Sequence, residues 1–154
     1  MKHWPILLTL LFLVGGERIH EGELVERRGI FYVPTEAEPF TGTVNEYHPN
    51  GELSFEGVYK DGKSVREVAW WDNGILMIES HYIDGELEGE FRSWHRNGEQ
   101  DSVFNYKNGV RQGMQRMWHD NGQLAEEVSY LDGKPFSARR KWTRGGVESV
   151  QFMQ

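Results

Sequence analysis

The sequence repeats one pattern about every 24 residues, and this period constrains the fold more than any other feature. An aromatic residue stands four positions before a glycine at Tyr47–Gly51, Trp70–Gly74, Trp94–Gly98, Trp118–Gly122 and Trp142–Gly146. The steps between these glycines are 23, 24, 24 and 24 residues. A second motif, Tyr-x-Asp/Asn-Gly, follows the first four, at Tyr59–Gly62, Tyr82–Gly85, Tyr106–Gly109 and Tyr130–Gly133. Such a period indicates one supersecondary unit per repeat, which buries its apolar side chains only when a neighbouring unit stacks on it.

Between the turn motifs, apolar and polar residues alternate. Counted from Gly122, every second position gives Leu124, Glu126, Val128 and Tyr130. A period of two predicts half-buried strands, and no segment sustains the spacing of an amphipathic helix. We therefore predict an all-β chain, with about five antiparallel β-hairpin repeats of 23–24 residues stacked into a single elongated, twisted sheet or solenoid.

The turn residues predict the register of the hairpins. In the segment 48–51 (His-Pro-Asn-Gly) the proline suits a type I turn, and the glycine suits the left-handed residue of a three-residue loop with a bulge. Such a loop pairs Trp118 with Leu124 and makes the even-numbered residues of the 24-residue repeats the inner ones, so that Trp94 and Trp118 are predicted core residues. The Tyr-x-Asp/Asn-Gly turns are then three-residue loops as well, except for a two-residue Asp61-Gly62 turn in the 23-residue step.

Three segments differ in composition. Residues 1–16 combine Lys2, an apolar run and small residues, which is the pattern of a secretory signal peptide. As a helix the run Ile6–Val14 would cover only about 14 Å of the ~30 Å hydrocarbon core, which leaves a membrane anchor and a buried helix as less favoured alternatives. Residues 17–41, with a short strand expected at Ile30–Val33, form the predicted N-terminal lead-in and cap, and residues 42–154 form the repeat domain. Cleavage predicts an exported protein, periplasmic or secreted, whereas retention would anchor it to the membrane by residues 1–16.

Composition and charge exclude several classes of function. The formal net charge of −7 argues against nucleic acid and anionic membranes as partners, so membrane contact is expected only through an uncleaved N-terminal segment. The chain has no cysteine, which excludes disulfides and thiolate metal sites. His48, His95 and His119 share one column, but successive repeats lie about 9.6 Å apart, too far for one zinc ion, so these histidines are predicted to be exposed and to flank the turns. No two carboxylates recur in a setting for acid–base catalysis, and we predict no enzyme activity, catalytic residue, metal or cofactor.

The residues also carry a family resemblance. The segments 24–32 and 39–42, followed by repeated (Tyr/Trp)-x-x-Asn-Gly-x-Leu and Tyr-x-Asp/Asn-Gly units, resemble the bacterial MORN-type repeat proteins known as the YwqK family. The resemblance covers about residues 24–146. It implies β-hairpin repeats, a role in protein interaction and the part of the antitoxin in a toxin–antitoxin pair. The glycine that often follows the second turn is kept at two positions and replaced at two others, namely Gly89, Gly113, Arg66 and Ser137.

Three classes of function follow from this sequence. The favoured one is a non-enzymatic scaffold for protein–protein interaction, antitoxin-like, whose partner is a toxin or an envelope protein. The alternative is a repeat module of the cell envelope that binds glycans or choline-type ligands, because aromatic ladders stack sugars and cage quaternary ammonium groups. A structural envelope protein without a discrete ligand is the third.

Four apolar residues interrupt the otherwise polar odd-numbered face and form the predicted partner-binding patch: Trp71, Met77, Phe91 and Val103. Apolar groups clustered on a polar face mark interaction surfaces, and tryptophan is enriched in binding hot spots. The competing interpretation is that the strand Ile30–Val33 folds over this face and buries it.

Overall fold

The computed structural model describes residues 11–14, 17–19 and 24–151, and these ranges consist of strands, turns and irregular segments. The first four strands are β1 (Leu11–Val14), β2 (Glu17–Ile19), β3 (Val25–Arg27) and β4 (Ile30–Tyr32). The repeats contain β5 (Gly42–Tyr47), β6 (Leu53–Lys60), β7 (Lys63–Trp70), β8 (Leu76–Ile83), β9 (Glu86–Leu87), β10 (Gly89–Trp94), β11 (Gln100–Lys107), β12 (Val110–Arg111), β13 (Gly113–Trp118), β14 (Leu124–Leu131), β15 (Lys134–Pro135), β16 (Arg139–Trp142) and β17 (Glu148–Gln151). Within the described ranges, no helix has the length and hydrophobicity needed to cross a membrane.

Fifteen strands form one sheet, in the order β17-β16-β14-β13-β11-β10-β8-β7-β6-β5-β1-β2. The short strands β9, β12 and β15 pair with β8, β11 and β14, while β3 and β4 form a separate two-stranded sheet. From β5 onward, neighbours in the sheet follow one another along the chain and pair antiparallel, as stacked hairpins require. The predicted all-β array of hairpin repeats is confirmed.

The hairpins close with the predicted three-residue loop. In the third hairpin Gly98 N–H donates to His95 O at 2.9 Å, and His95 N–H donates to Glu99 O at 2.8 Å. The same two bonds recur in the other four hairpins. Gly98 has a φ of 89°, a left-handed conformation that glycine adopts without strain. The turn produces the predicted pairing, such as Trp118 with Leu124.

Immediately beyond this pairing the register shifts by one residue. Ser93 pairs with Ser102, while the skipped Asp101 accepts a hydrogen bond from Ser93 Oγ at 2.8 Å. The side chains of Asp101 and Ser102 thus point to the same face, as in a β-bulge. The tryptophan column lies on the face opposite to Ser93 and Ser102. The prediction that Trp94 and Trp118 are core residues is wrong, since both are only half-buried. We call the face that carries Ser93 and Ser102 the inner face.

The Tyr-x-Asp/Asn-Gly turns are all two-residue turns with positive φ at both central positions, as at Asn108 (48°) and Gly109 (71°). The two-residue Asp61-Gly62 turn is confirmed, because Lys60 pairs with Lys63. The three-residue loops predicted for the other repeats are wrong. Positive φ at both positions matches the right-handed twist of the flanking strands, which explains why the shorter turn prevails.

The extra residue of the longer repeats lies after this turn. Tyr82 pairs with Leu87, and Glu79 pairs with Arg92. Between these two pairs, β8 covers three residues while the chain opposite covers five, so two residues are skipped. In the first repeat the corresponding shift skips only Val65. The difference between the 23-residue and 24-residue steps is therefore a difference in bulge length rather than in turn length.

Side chains at the three-residue loops join each repeat to the next. His95 Nε2 donates to Trp118 O at 2.9 Å, and His48 and His119 make equivalent bonds to the following repeat. Trp71 occupies the same position in the second repeat and donates from Nε1 to Trp94 O at 3.0 Å. The histidines are half-buried and hydrogen-bonded, so the prediction that they are exposed is wrong.

The turn asparagines form a second row of such bonds. Asn97 Nδ2 donates to Asp120 O at 2.6 Å, while its Oδ1 accepts from Glu99 N–H at 3.1 Å. Each of these asparagines therefore stabilises its own turn and binds the next one. The equivalent residues in three of the other loops are Asn50, Asn73 and Asn121.

The lead-in packs on the inner face at β5 and β6. Its apolar side chains build a cluster with the first hairpin, made of Val33, Phe40, Val44 and Tyr59 with Leu24, Phe31 and Phe55 around them. Phe31 N–H donates to Gly62 O at 2.9 Å, and Gly62 N–H donates to Phe40 O at 2.7 Å. The predicted strand at Ile30–Val33 thus covers the first hairpin, and its buried contacts lie there rather than on the predicted patch.

The N-terminal edge of the repeats is paired with β1, through Leu11↔Asn45 and Phe12↔Val44. Residues 1–10, 15 and 16 of the predicted targeting segment lie outside the described residues. Export and cleavage therefore stay predictions.

Gly62→Ala should destabilise the fold more than Gly85→Ala, although both glycines occupy the same turn position. Their φ values are 73° and 82°, so a left-handed alanine costs each about 1–2 kcal/mol. A Cβ on Gly62 would also overlap Ile30 Cγ2 and lie 2.8 Å from Phe31 O, whereas the atom nearest to a Cβ on Gly85 is 3.8 Å away. We expect an additional loss of about 1–3 kcal/mol for Gly62→Ala in urea unfolding. Equal losses would contradict the docking of the lead-in on this turn.

Candidate functional site

Three of the four predicted patch residues meet on the inner face. Trp71, Met77 and Phe91 line one groove of about 370 Å³. Val103 lies on the opposite face, because it pairs with Arg92 and not with Phe91. The grouping of all four on one odd-numbered face is thus wrong, since the bulge changes the parity between the two strands of each hairpin.

Further apolar residues complete the walls of this groove, namely Ile78, Phe104 and Met117. Phe91 stacks on Phe104, with ring centroids 6.0 Å apart and an interplanar angle of 14°. The predicted parity placed these two rings on opposite faces, so their contact was not predicted. The alternation of Ser102, Phe104 and Tyr106 after Gly98 was a sequence signal that these residues share one face, and it could have identified Phe104 as part of the groove wall.

Small buried residues form the floor of the groove. Ser93 and Ser102 are 8% and 2% exposed, and their hydroxyl oxygens lie 2.7 Å apart. Because Ser93 also bonds to Asp101, these hydroxyls are satisfied within the protein. Small residues between large ones make the face hollow, and the groove offers a mainly apolar surface to a ligand.

A second hollow of about 430 Å³ adjoins the groove. Phe104 and Met117 line both, so the two hollows are neighbours. The second hollow is polar and charged, and its other lining residues are Arg111, Gln115, Glu126, Val128, Tyr130 and Arg139. We call it the arginine pocket.

Arg111 is held at this pocket by aromatic side chains. Its guanidinium carbon lies 5.0 Å from the ring centroid of Phe104 and 5.4 Å from that of Tyr130, within cation–π range. Nε and Nη1 donate long hydrogen bonds of 3.5 Å to the hydroxyls of Tyr106 and Tyr130. The bond to Tyr106 raises the pKa of Arg111, burial opposes this, and the bond to Tyr130 raises it further, so the side chain stays charged.

Gln115 lies under the arginine pocket and is 3% exposed. Its Nε2 donates to Asn105 O at 3.2 Å and to Gln112 O at 3.3 Å. These two bonds fix the orientation of the amide and use both of its donor hydrogens. The N–H groups that the pocket presents to a ligand are therefore those of its arginines.

A separate polar network links β7 and β8 on the inner face. Tyr82 OH donates to Glu67 Oε2 at 2.7 Å, and Ser64 Oγ donates to Glu67 Oε1 at 2.9 Å. Burial raises the pKa of Tyr82 to about 12, against a lowering by Ser80 and with further raising by Glu67. Burial and the charge of Glu67 also raise the pKa of Tyr59. Both phenols are thus protonated at neutral pH.

No group of three or more histidine, aspartate and glutamate side chains in the described part of the chain is placed to hold a metal ion. Ser93 bonds to Ser102, and Glu67 accepts hydrogen bonds from Ser64 and Tyr82. The feature that stands out on this face is a surface for binding, formed by the groove and the arginine pocket.

Two segments of the chain match the family model described as a MORN repeat variant, residues 40–61 and 111–132. The matches start 71 residues apart, which equals three repeat steps of 23, 24 and 24 residues. These two segments are therefore similar to MORN-variant repeats. No curated protein matches it significantly. MORN repeats are non-catalytic modules that generally mediate interactions with proteins or membrane lipids.

The stability of the protein should fall as the pH rises from about 10 to about 12. In this window Tyr82 is protonated in the folded state but ionised in the unfolded state, so the unfolded state binds fewer protons and the free energy of unfolding decreases. Tyr82→Phe should show a shallower decrease, with Tyr59 contributing the remainder. Urea unfolding across this range measures both slopes. Identical slopes for the parent and Tyr82→Phe would contradict the assignment.

Proposed function

We propose that this protein is a non-enzymatic interaction scaffold whose inner-face groove holds an extended segment of a partner protein. The observation that carries the proposal is the apolar lining of the groove by Trp71, Met77, Phe91 and Phe104. These side chains are half-buried and so keep part of their surface available. Aromatic residues in a hollow are the usual anchors of a protein interface.

The lead-in indicates how such a segment would bind. Phe40 and Val33 bury their side chains on Val44 and Tyr59, and the backbone of the lead-in bonds to Gly62. The inner face continues past this point to the groove, where none of the described lead-in residues contributes to the lining. A partner segment in an extended conformation, with apolar side chains, would pack on the inner face in the same way as the lead-in.

The charge of the chain favours a protein over a membrane surface as the partner. MORN repeats in general serve either purpose. A formal net charge of −7 repels anionic lipid headgroups, and the groove walls carry no cationic side chain.

Two sources of the partner fit the proposal. The resemblance to antitoxin proteins suggests a toxin, and the signal-like N-terminal segment suggests a protein of the cell envelope. We propose a toxin-binding or envelope-protein-binding role on these grounds, with export through residues 1–16.

The glycan or choline-type alternative is less favoured. A quaternary ammonium group needs open aromatic faces. The guanidinium of Arg111 already lies over Phe104 and Tyr130.

Phe91→Ser should weaken partner binding about tenfold or more, because it removes a central aromatic of the groove. Val103→Ser is the matched control, since it changes an apolar residue of the same hairpin on the opposite face. The full chain and both variants serve as bait for proteins of the native host, and the captured partner is then titrated against each. Thermal unfolding reports the loss of stability separately. A partner that binds Phe91→Ser and Val103→Ser equally well would overturn the groove as its site.

A further inference from the structure

The arginines of the repeat region are almost all neutralised by carboxylates of the protein itself. An Asp or Glu oxygen lies within 4.0 Å of each of the following: Arg66, Arg92, Arg96, Arg116, Arg139, Arg140 and Arg144. Among the described residues, Arg111 is the exception in this region: its partners are phenol hydroxyls and aromatic rings. In a chain with a formal net charge of −7, the described part of the repeat region thus has one guanidinium without a carboxylate counter-ion.

The surroundings of Arg111 do not supply that counter-ion. Glu126 is the carboxylate of the pocket, and it is engaged by Arg139 at 3.1 Å and by Lys141 at 3.6 Å. Two guanidiniums and one carboxylate thus line the pocket, and Lys141 also lies against that carboxylate. The pocket is a local positive site on an acidic protein, and it favours an anionic group from outside.

The guanidinium of Arg111 is also preorganised to bind such an anionic group. Two aromatic rings cover it, and two of its five N–H donors are used in the long bonds to Tyr106 and Tyr130. The remaining donors have the fork geometry that matches a carboxylate. A side chain already fixed in place loses less conformational entropy on binding.

We propose that Arg111 binds an aspartate or glutamate side chain of the partner segment, next to an apolar residue that occupies the groove. The shared lining by Phe104 and Met117 brings the two positions together along one extended chain. The inference rests on the proposed function and adds the chemistry of the partner: an acidic residue close to a hydrophobic one.

Random peptides displayed on phage and selected on the full chain supply the probe. We expect the selected peptides to combine a large apolar residue with a nearby Asp or Glu. The strongest binder is then synthesised with its acidic residue intact and, as a twin, with that residue changed to the amide. The amide twin should bind the parent chain about tenfold or more weakly, because a charge-assisted bond is lost.

Arg111→Gln should weaken binding of the acidic peptide by a similar factor and should bind the two twins equally. This loss of discrimination, measured as a double-mutant cycle, assigns the contact to Arg111 and not to a change of fold. Arg92→Gln is the control, since it removes the same charge from the opposite face and should discriminate between the twins like the parent.

The outcomes separate the two proposals. If the amide twin binds the parent as tightly as the acidic peptide, or if Arg111→Gln still discriminates, the carboxylate site is overturned, while a loss of binding in Phe91→Ser keeps the groove. If the peptides bind Phe91→Ser like the parent, the groove is overturned, whatever Arg111 does. A selection that yields no binder overturns both.

Discussion

Hydrogen bonds between successive turns hold together the repeats that form the groove, because the strands of these neighbouring repeats pair over only a short stretch. Within a hairpin, β10 and β11 share six register pairs, whereas β8 and β10, which belong to different hairpins, share two. Asn97 and His95 bond to the next repeat at one end of the strands. At the other end Gly109 N–H donates to Leu87 O at 2.9 Å. Two rows of hydrogen bonds between turns thus fix the spacing of neighbouring hairpins, which the short strand pairing alone would not fix.

The same turn bonds position the groove and the guanidinium of Arg111. Gly133 N–H donates to Arg111 O at 3.0 Å, so the backbone that carries the guanidinium is fixed to the following repeat. The rings that hold the side chain come from β11 and β14, on either side of that junction. A contact that involves two repeats keeps its geometry only when both are stacked. The arginine pocket is therefore a property of the array and not of any single hairpin.

Turn chemistry and period two were sufficient to predict the strands, the hairpins and the three-residue loops. The register shift at Asp101, beyond the loop, was not predictable from these signals, because Asp101 carries no turn signature and the alternation continues on both sides of it. One skipped residue reverses every later side chain, which separated Val103 from Phe91 and moved the tryptophans out of the core. Arg111 gave no signal in sequence either, since its role depends on rings from two strands that only the register brings together.

The groove lies where an array of this kind is most firmly held. At the N-terminal end the lead-in covers the inner face, and at the other end all four residues of β17 are exposed. A terminal repeat has a neighbour on one side only and opens more easily, whereas the repeats that carry Phe91 and Phe104 are stacked on both sides. Walls fixed from both sides need little ordering when a ligand binds, and this lowers the entropic cost of association. The central position of the groove is thus itself an argument that it is a preformed binding surface.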